Sequence, residues 1–116
     1  MSTFHPSKST VKDETLIKFL YSDVEPDLKC IPGIGDQGRN ALQDAGIENS
    51  YLLIAKFLAF KGNNVDVVTH CNLFYEWLLT VGIKTNRANI TKSIAEKMSI
   101  TFPHLYAESY FVMEEC

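Results

Sequence analysis

Two glycines, Gly33 and Gly35, form the part of the sequence best suited to bind a ligand, with Ile34 between them. Residues 36–45 behind them have helical character, and Gly46 follows as a stop. Glycine has no Cβ, so the backbone there can turn tightly and approach a ligand closely. The first amide N–H groups of the next helix would point outward at the positive end of its dipole. This order predicts a phosphate-binding turn, with Ile34 as its anchor in the core.

Together with the preceding proline, the two glycines and the isoleucine (residues 32–35) also have the composition of an ordinary turn. The flanking apolar residues favour the longer motif, since they lie where two short helices would pack: Leu28, Ile31, Leu42 and Ile47. Together they predict a helix-hairpin-helix, a motif that holds nucleic-acid phosphates. Arg39 departs from the pattern, because a small residue is usual at that position. Either the second helix packs differently, or Arg39 leans toward a phosphate.

The rest of the sequence predicts an all-α fold, a compact bundle of five to six short helices in one domain over residues 10–116 after a flexible tail at 1–9. Apolar residues at helical spacing, with polar caps, glycines and a proline between them, place the other helices. These are 11–21 after a capping box of Thr10 and Asp13, 51–61 capped by Ser50, 65–81 before Gly82, 87–100 after Asn86, and a short last helix from Pro103 carrying Leu105, Tyr106 and Phe111.

The composition excludes several classes of protein. No apolar run reaches the length of about 18 residues that spans a bilayer, so no membrane insertion is expected. The N-terminus lacks the apolar core of a signal peptide, and three cysteines form no CxxC pair, which predicts reduced thiols in an intracellular protein. His5, His70 and His104 pair with no Cys or carboxylate at metal-ligand spacing. We expect no metal, no cofactor and no enzyme activity.

The net charge of −3 argues weakly against nucleic-acid binding, because domains that bind phosphates are usually basic. A protein that binds phosphates with backbone amides needs only a local positive site. The acidic balance therefore predicts few phosphate contacts per protomer.

Five segments carry a more specific signal: Glu25-Pro26, Ile31-Pro-Gly-Ile-Gly-Asp36, Ala45-Gly-Ile47, Tyr51-Leu-Leu-Ile-Ala-Lys-Phe-Leu58 and Leu73-Phe-Tyr-Glu-Trp-Leu78. In that order and spacing they resemble the barrier-to-autointegration factor family of small chromatin-bridging DNA-binding proteins, over roughly residues 25–100. The chain departs from that family by a longer N-terminus, about six extra residues around 63–70 and a different, longer C-terminal segment. Asn40 and Ala41 replace the lysines that the family usually carries after the hairpin.

The resemblance implies an all-helical homodimer with one hairpin per subunit, which binds two duplexes and bridges or compacts DNA without reading its sequence. The DNA-binding residues would be those of the hairpin and of a later helix start, with Lys12 as a third candidate: Gly33, Ile34, Gly35, Asp36, Gln37, Arg39, Lys84, Asn86, Arg87 and Ala88. The residues support the second group independently, because Lys84 and Arg87 flank a helix start that Asn86 could cap. Asn86 could equally be a purely structural cap.

The helix predicted at 51–61 is apolar nearly all round, and a short helix in a chain of this size cannot bury every face within its own subunit. We therefore expect a dimer interface formed by Tyr51, Ile54, Phe57 and Leu58, although a fully buried central helix would have the same composition. In the family, the dimer also forms a groove for LEM-domain partners of the inner nuclear envelope. The resemblance extends those partners to this chain as an expectation, but the residues of that groove vary here.

Two functions of different class fit the sequence. The first is a DNA-bridging homodimer in the nucleus and/or cytoplasm, or in a virion and its host cell if the protein is viral. The second is a homodimeric protein-interaction module that has lost most of its DNA affinity, as the missing lysines permit. A hairpin domain that positions DNA for an enzyme encoded elsewhere is a third.

Overall fold

The computed structural model describes residues 4–63 and 65–106, which contain five α-helices, two 3₁₀ helices and no β-strand. The α-helices are α1 (Asp13–Leu20), α2 (Asp36–Asp44), α3 (Ser50–Ala59), α4 (Val67–Thr80) and α5 (Arg87–Thr101). The 3₁₀ helices lie at Pro6–Lys8 and Leu28–Cys30. The expected all-α class is confirmed.

Helix α5 is the centre of the fold, and α4 and α1 both pack against it. Eight of its residues are buried, among them Ile90, Ile94 and Met98, whose spacing of four predicted the helix. From α3 and α4, Phe57 and Phe74 pack edge to face, with ring centroids 5.2 Å apart. The most deeply buried helix is therefore α5, and not the strongly apolar α3.

Several helix ends differ from the predicted ones because polar side chains have distant partners. The capping box at Thr10 is wrong: α1 begins at Asp13 after Lys12, and the Thr10 amide donates to Asn89 Oδ1 at 2.7 Å. Ser50 is not the cap of α3, since its hydroxyl donates to the carbonyl of Glu25. These side chains join segments far apart in the sequence, which no local pattern reveals.

Two other ends are set by capping residues that were not predicted. Asn49 caps α3 by accepting from the Leu52 amide at 2.9 Å, and Asp66 caps α4 by accepting from the Thr69 amide at 2.8 Å. Helix α4 therefore begins at Val67. From Pro103 to Tyr106 the chain forms turns where a helix was predicted, and Phe111 lies outside the described residues.

The described part of the predicted tail, residues 4–9, packs against α4 and α5. Phe4 is buried, its ring centroid lies 5.7 Å from that of Tyr75, and its amide donates to Asn72 Oδ1 at 2.9 Å. Pro6 is buried too. The apolar side chains at positions 4 and 6 thus pack this segment against the fold.

His70 on α4 is fully buried and has a hydrogen-bond partner for each ring nitrogen. Its Nε2 lies 2.7 Å from the carbonyl oxygen of Phe57, and its Nδ1 lies 2.6 Å from the hydroxyl oxygen of Tyr106. Since a carbonyl only accepts, Nε2 donates to it, and in the neutral ring Nδ1 accepts from the Tyr106 hydroxyl. Burial lowers the pKa of His70, which keeps the ring neutral.

We expect acid to destabilise the protein through His70 as the pH falls below about 7. A histidine in the unfolded chain titrates near about 6.5, and the pKa in the folded protein lies below that value. The unfolded chain therefore takes up the proton first, so this stability is present above the unfolded pKa and is lost on acidification. Thermal unfolding of wild type and His70→Gln at several pH values measures it. Equal falls in Tm for the two proteins would contradict the assignment.

Candidate nucleic-acid interface

The turn that carries the two glycines lies between the 3₁₀ helix at Leu28–Cys30 and helix α2. The Ile34 amide donates to the Ile31 carbonyl at 3.1 Å and closes the turn. Both isoleucines are buried, and Ile34 anchors the turn in the core as expected. The helix before the turn is a single 3₁₀ turn, and Gly35 is the N-cap of α2. We call residues 28–44 the hairpin.

The two glycines serve different purposes. Gly33 has φ +101, and a Cβ added to it would lie 2.9 Å from Ile90 Cγ1 and 3.1 Å from the carbonyl oxygen of Asn86. The packing of the hairpin on the first turn of α5 therefore requires glycine at this position. A Cβ added to Gly35 would meet no atom within 4 Å. The fold does not require a glycine at 35, and its open side is available to a ligand.

The hairpin and the loop between α4 and α5 form the two walls of one cleft of about 630 Å³, which we call the hairpin cleft. One wall consists of Gly33, Gly35, Asp36, Gln37 and Gly38, and the other of Gly82, Ile83, Lys84, Thr85 and Asn86. Two groups of residues that the sequence analysis assigned to DNA separately thus meet in one place.

Within residues 4–63 and 65–106, three α-helices begin without a capping side chain, and they are the three helix starts that the sequence assigned to DNA. Their N-cap residues are Lys12 for α1, Gly35 for α2 and Asn86 for α5. The first amide N–H groups of a helix have no partner within the helix, and at these starts the N-cap side chain accepts from none of them, beside the positive end of the dipole. The other two α-helices, α3 and α4, have side-chain caps.

Asn86 occupies the predicted N-cap position but does not cap with its side chain. It has φ +63, in the left-handed region that non-glycine residues seldom adopt. Its carbonyl accepts from the Ile90 amide at 3.1 Å. The structural-cap interpretation of the Asn86 side chain is therefore wrong.

The start of α1 lies beside the other two helix starts. Ser9 Oγ donates to Asn89 Oδ1 at 2.9 Å, and Asn89 Nδ2 donates to Thr10 Oγ1 at 3.3 Å. Asn89 in turn borders Gly33, whose added Cβ would lie 3.0 Å from Asn89 Cβ. Sequence analysis missed Asn89, since the two segments it joins are 79 positions apart.

Asp36, the first residue of α2, has two cationic neighbours. The Lys29 ammonium nitrogen lies 2.7 Å from Asp36 Oδ1, and Arg39 Nη2 lies 3.8 Å from the same oxygen. The hydrogen bond and charge of Lys29, helped by Arg39, lower the pKa of Asp36, which stays ionised. Lys29 was not predicted from the sequence, because the spacing of seven residues between Lys29 and Asp36, across a turn that reverses the chain, follows no helix or strand pattern.

The remaining predicted DNA-binding residues are placed differently. The Arg87 guanidinium carbon lies 4.1 Å from the centroid of the Tyr75 ring, and its Nη1 donates to the Tyr75 carbonyl at 3.1 Å. Arg87 thus joins α5 to α4, and it is not a lining residue of the hairpin cleft. The side chain of Ala88 is buried, which leaves its amide as its only group for a ligand. Lys12 and Lys84 are exposed.

The predicted dimer residues on α3 divide into exposed and buried ones. Tyr51 is 52% exposed, and its hydroxyl donates to the Val24 carbonyl at 3.1 Å. Phe57 is fully buried within the protomer, so its assignment to an interface is wrong; it packs against Phe74 and His70. Ile54 and Leu58 are half-buried against the core. Leu52, 42% exposed, was not among the predicted residues.

Comparison with known proteins finds a partial similarity to barrier-to-autointegration factor 1 of Caenorhabditis elegans. The two chains are 34% identical over 65 residues, which are 55% of this chain and 65% of that protein, less than two thirds of its length. No family model and no solved structure matches. The similarity supports the relationship inferred from the sequence motifs, over part of the chain.

No cluster of three or more His, Cys, Asp or Glu side chains in residues 4–63 and 65–106 could hold a metal ion. No helix in the same ranges is both long and apolar enough to cross a membrane.

Proposed function

We propose that the protein binds double-stranded DNA through its phosphates, without reading the base sequence. The observation that carries this proposal is the placement of two uncapped helix starts, those of α2 and α5, on one cleft. Helix starts of this kind bind phosphate oxygens with their first amides and positive dipole ends. The partial similarity to barrier-to-autointegration factor 1 supports the same function.

The binding residues act mainly through the backbone. The amides of Gly35, Asp36 and Gln37 would take a phosphate on one wall of the hairpin cleft. The amides of Arg87 and Ala88, which follow Asn86 of the other wall, would take a second phosphate. Lys84 adds a positive charge to the cleft, and Lys12 lies at the neighbouring start of α1. Contacts of this kind position a duplex and carry no sequence information.

A titration of the purified protein with random duplex DNA at several salt concentrations tests this proposal. Two or three phosphate contacts give a slope of log K against log salt of about −2 to −3 and a Kd nearer micromolar than nanomolar at physiological salt. Duplexes of equal length and different sequence should bind equally. A slope near zero, or a clear preference among sequences, would refute it.

We also propose that the protein is a homodimer that bridges two duplexes. The outward side of α3 presents Tyr51, Leu52, Ala55 and Ala59, all exposed and none of them charged. An uncharged helix face of this kind suits a contact with a second copy. Two weak DNA sites on one dimer raise the effective concentration of the second binding event, which makes bridging possible at modest affinity.

Replacing Leu52 with glutamate is expected to convert the dimer to a monomer, since it introduces a charge into that uncharged face. Static light scattering would then report half the mass, and the variant should bind one duplex but fail to retain a second one. Ile17→Glu on α1 is the matched control, because Ile17 is exposed to a similar extent. Unchanged mass for Leu52→Glu, or an equal loss in both variants, would exclude α3 as the interface.

The protein-interaction module remains the second candidate, and Asp36 favours it, because a carboxylate at the start of α2 opposes a phosphate there. A dimer that binds no duplex at low salt would establish that alternative. With either function we propose a non-enzymatic protein of the nucleus and/or cytoplasm, with LEM-domain proteins as candidate partners.

A further inference from the structure

We infer that Asp36 is an internal competitor of DNA: its carboxylate lies on the first residue of α2 and holds Lys29 and Arg39, so a phosphate must compete with it for these two cations. This inference rests on the proposed function, since it concerns the strength of the same site. It assigns Asp36 a role that differs from that of the amides around it.

The geometry places three charges where a phosphate would bind. Asp36 Oδ1 accepts a hydrogen bond from Lys29 Nζ at 2.7 Å, and Arg39 Nη2 lies 3.8 Å from the same atom. Asp36 is the first residue of α2 and a lining residue of the hairpin cleft. Its carboxylate therefore gains from the positive end of the α2 dipole, the interaction that a phosphate would use.

The three side chains are accessible to a ligand from solvent. The exposed fractions are 71% for Asp36, 43% for Lys29 and 36% for Arg39. Exposed ion pairs of this kind are weak, so a phosphate can displace the carboxylate. Asp36 should accordingly weaken DNA binding without preventing it.

The charges also explain how the hairpin can be a weak site although two cations border it. With Asp36 ionised, Lys29 and Arg39 are partly neutralised before any DNA arrives. The pKa of Asp36 is lowered by these cations, so mild acid does not remove the competitor. The weakness of the site is therefore a fixed property of the sequence, which a substitution at Asp36 can relieve.

The test is duplex binding by Asp36→Asn over a salt series, with Asp44→Asn as the matched control. Both variants remove one carboxylate from α2, but Asp44 is exposed at the far end of the helix. Asp36→Asn should bind duplex about tenfold more tightly, with a slope of log K against log salt steeper by about 1 to 2 because Lys29 and Arg39 become available to phosphates. Asp44→Asn should change affinity less than about twofold, since its charge lies away from the cleft.

A second variant keeps the inference falsifiable if Asp36→Asn alters the hairpin locally. Lys29→Met should change affinity little in the wild-type background and reduce it clearly in the Asp36→Asn background, a non-additivity that an independent structural role of Lys29 would not produce. The inference is supported if Asp36→Asn binds duplex more tightly than the wild type and this non-additivity is observed. It is also supported if Asp36→Asn binds duplex and the wild type does not. Wild-type binding that neither Asp36→Asn nor Asp44→Asn improves would overturn it and leave the proposed function standing. Absence of binding by every variant at low salt would refute the proposed function itself.

Discussion

Gly35→Trp is expected to reduce duplex binding by about 100-fold or more, since it blocks at least two charge-assisted hydrogen bonds between amides and phosphate. Gly35 lines the hairpin cleft beside Asp36 and Gln37, so a bulky side chain there should obstruct the approach of a phosphate to their amides. The fold should tolerate it, because φ is −104 and an added Cβ meets no atom within 4 Å. Duplex titration measures the affinity, and circular dichroism with thermal unfolding confirms the fold.

Gly62→Trp is the matched control for this variant. Gly62 is exposed, does not line the hairpin cleft, and would place a Cβ 3.4 Å from Val65 Cγ2, an ordinary contact. It should bind DNA as the wild type does. Retained binding by a folded Gly35→Trp would show that DNA does not use the start of α2. A substitution at Gly33 is unsuitable, because the clash with Ile90 and Asn86 would test the fold.

Lys97→Met is expected to lower the free energy of unfolding by about 3 to 5 kcal/mol. The Lys97 side chain reaches from α5 to the end of α1, where its ammonium donates to the carbonyls of Phe19 at 2.8 Å, Leu20 at 3.0 Å and Ser22 at 2.8 Å. The last carbonyls of a helix have no partner within the helix, and a cation there also stabilises the dipole. Methionine fills a similar volume and donates nothing.

The free energy of unfolding of a small domain is about 5 to 15 kcal/mol, so the expected loss is a large part of it. Urea denaturation of the wild type and of two variants measures it, with Lys92→Met as the control. Lys92 lies on the same helix, and its 3.8 Å ion pair with Glu96 is partly exposed. That variant should lose no more than about 1 kcal/mol. Similar losses in the two variants would show that Lys97 contributes only as an ordinary helix residue.

The sequence predicted the elements whose signals are local. The glycines, the apolar residues around them and the spacing of Ile90, Ile94 and Met98 located the hairpin turn, α2 and α5 to within a few residues. The burial of Ile34 followed from the alternation of apolar residue and glycine in the turn. These features depend on backbone conformation and on one helix face, which are encoded within a few consecutive residues.

Features that depend on distant partners were not predictable in the same way. Thr10 and Ser50 have the composition of caps, but one is held by Asn89 and the other donates to Glu25. The sequence does not distinguish the roles of Gly33 and Gly35. Only the short distances from Gly33 to α5 show that the fold requires glycine at position 33 and not at position 35. The Lys29–Asp36 pair likewise forms only once the turn has reversed the chain.

The central claim is that backbone amides at the starts of α2 and α5 bind the DNA phosphates. Amide proton–nitrogen correlation spectra of the full chain, recorded during titration with a short random duplex, test it most directly. The largest shifts should belong to the amides of Gly35, Asp36, Gln37, Arg87 and Ala88, and the outward side of α3 should be unaffected. Binding that leaves these five amides unshifted while residues elsewhere respond would contradict it.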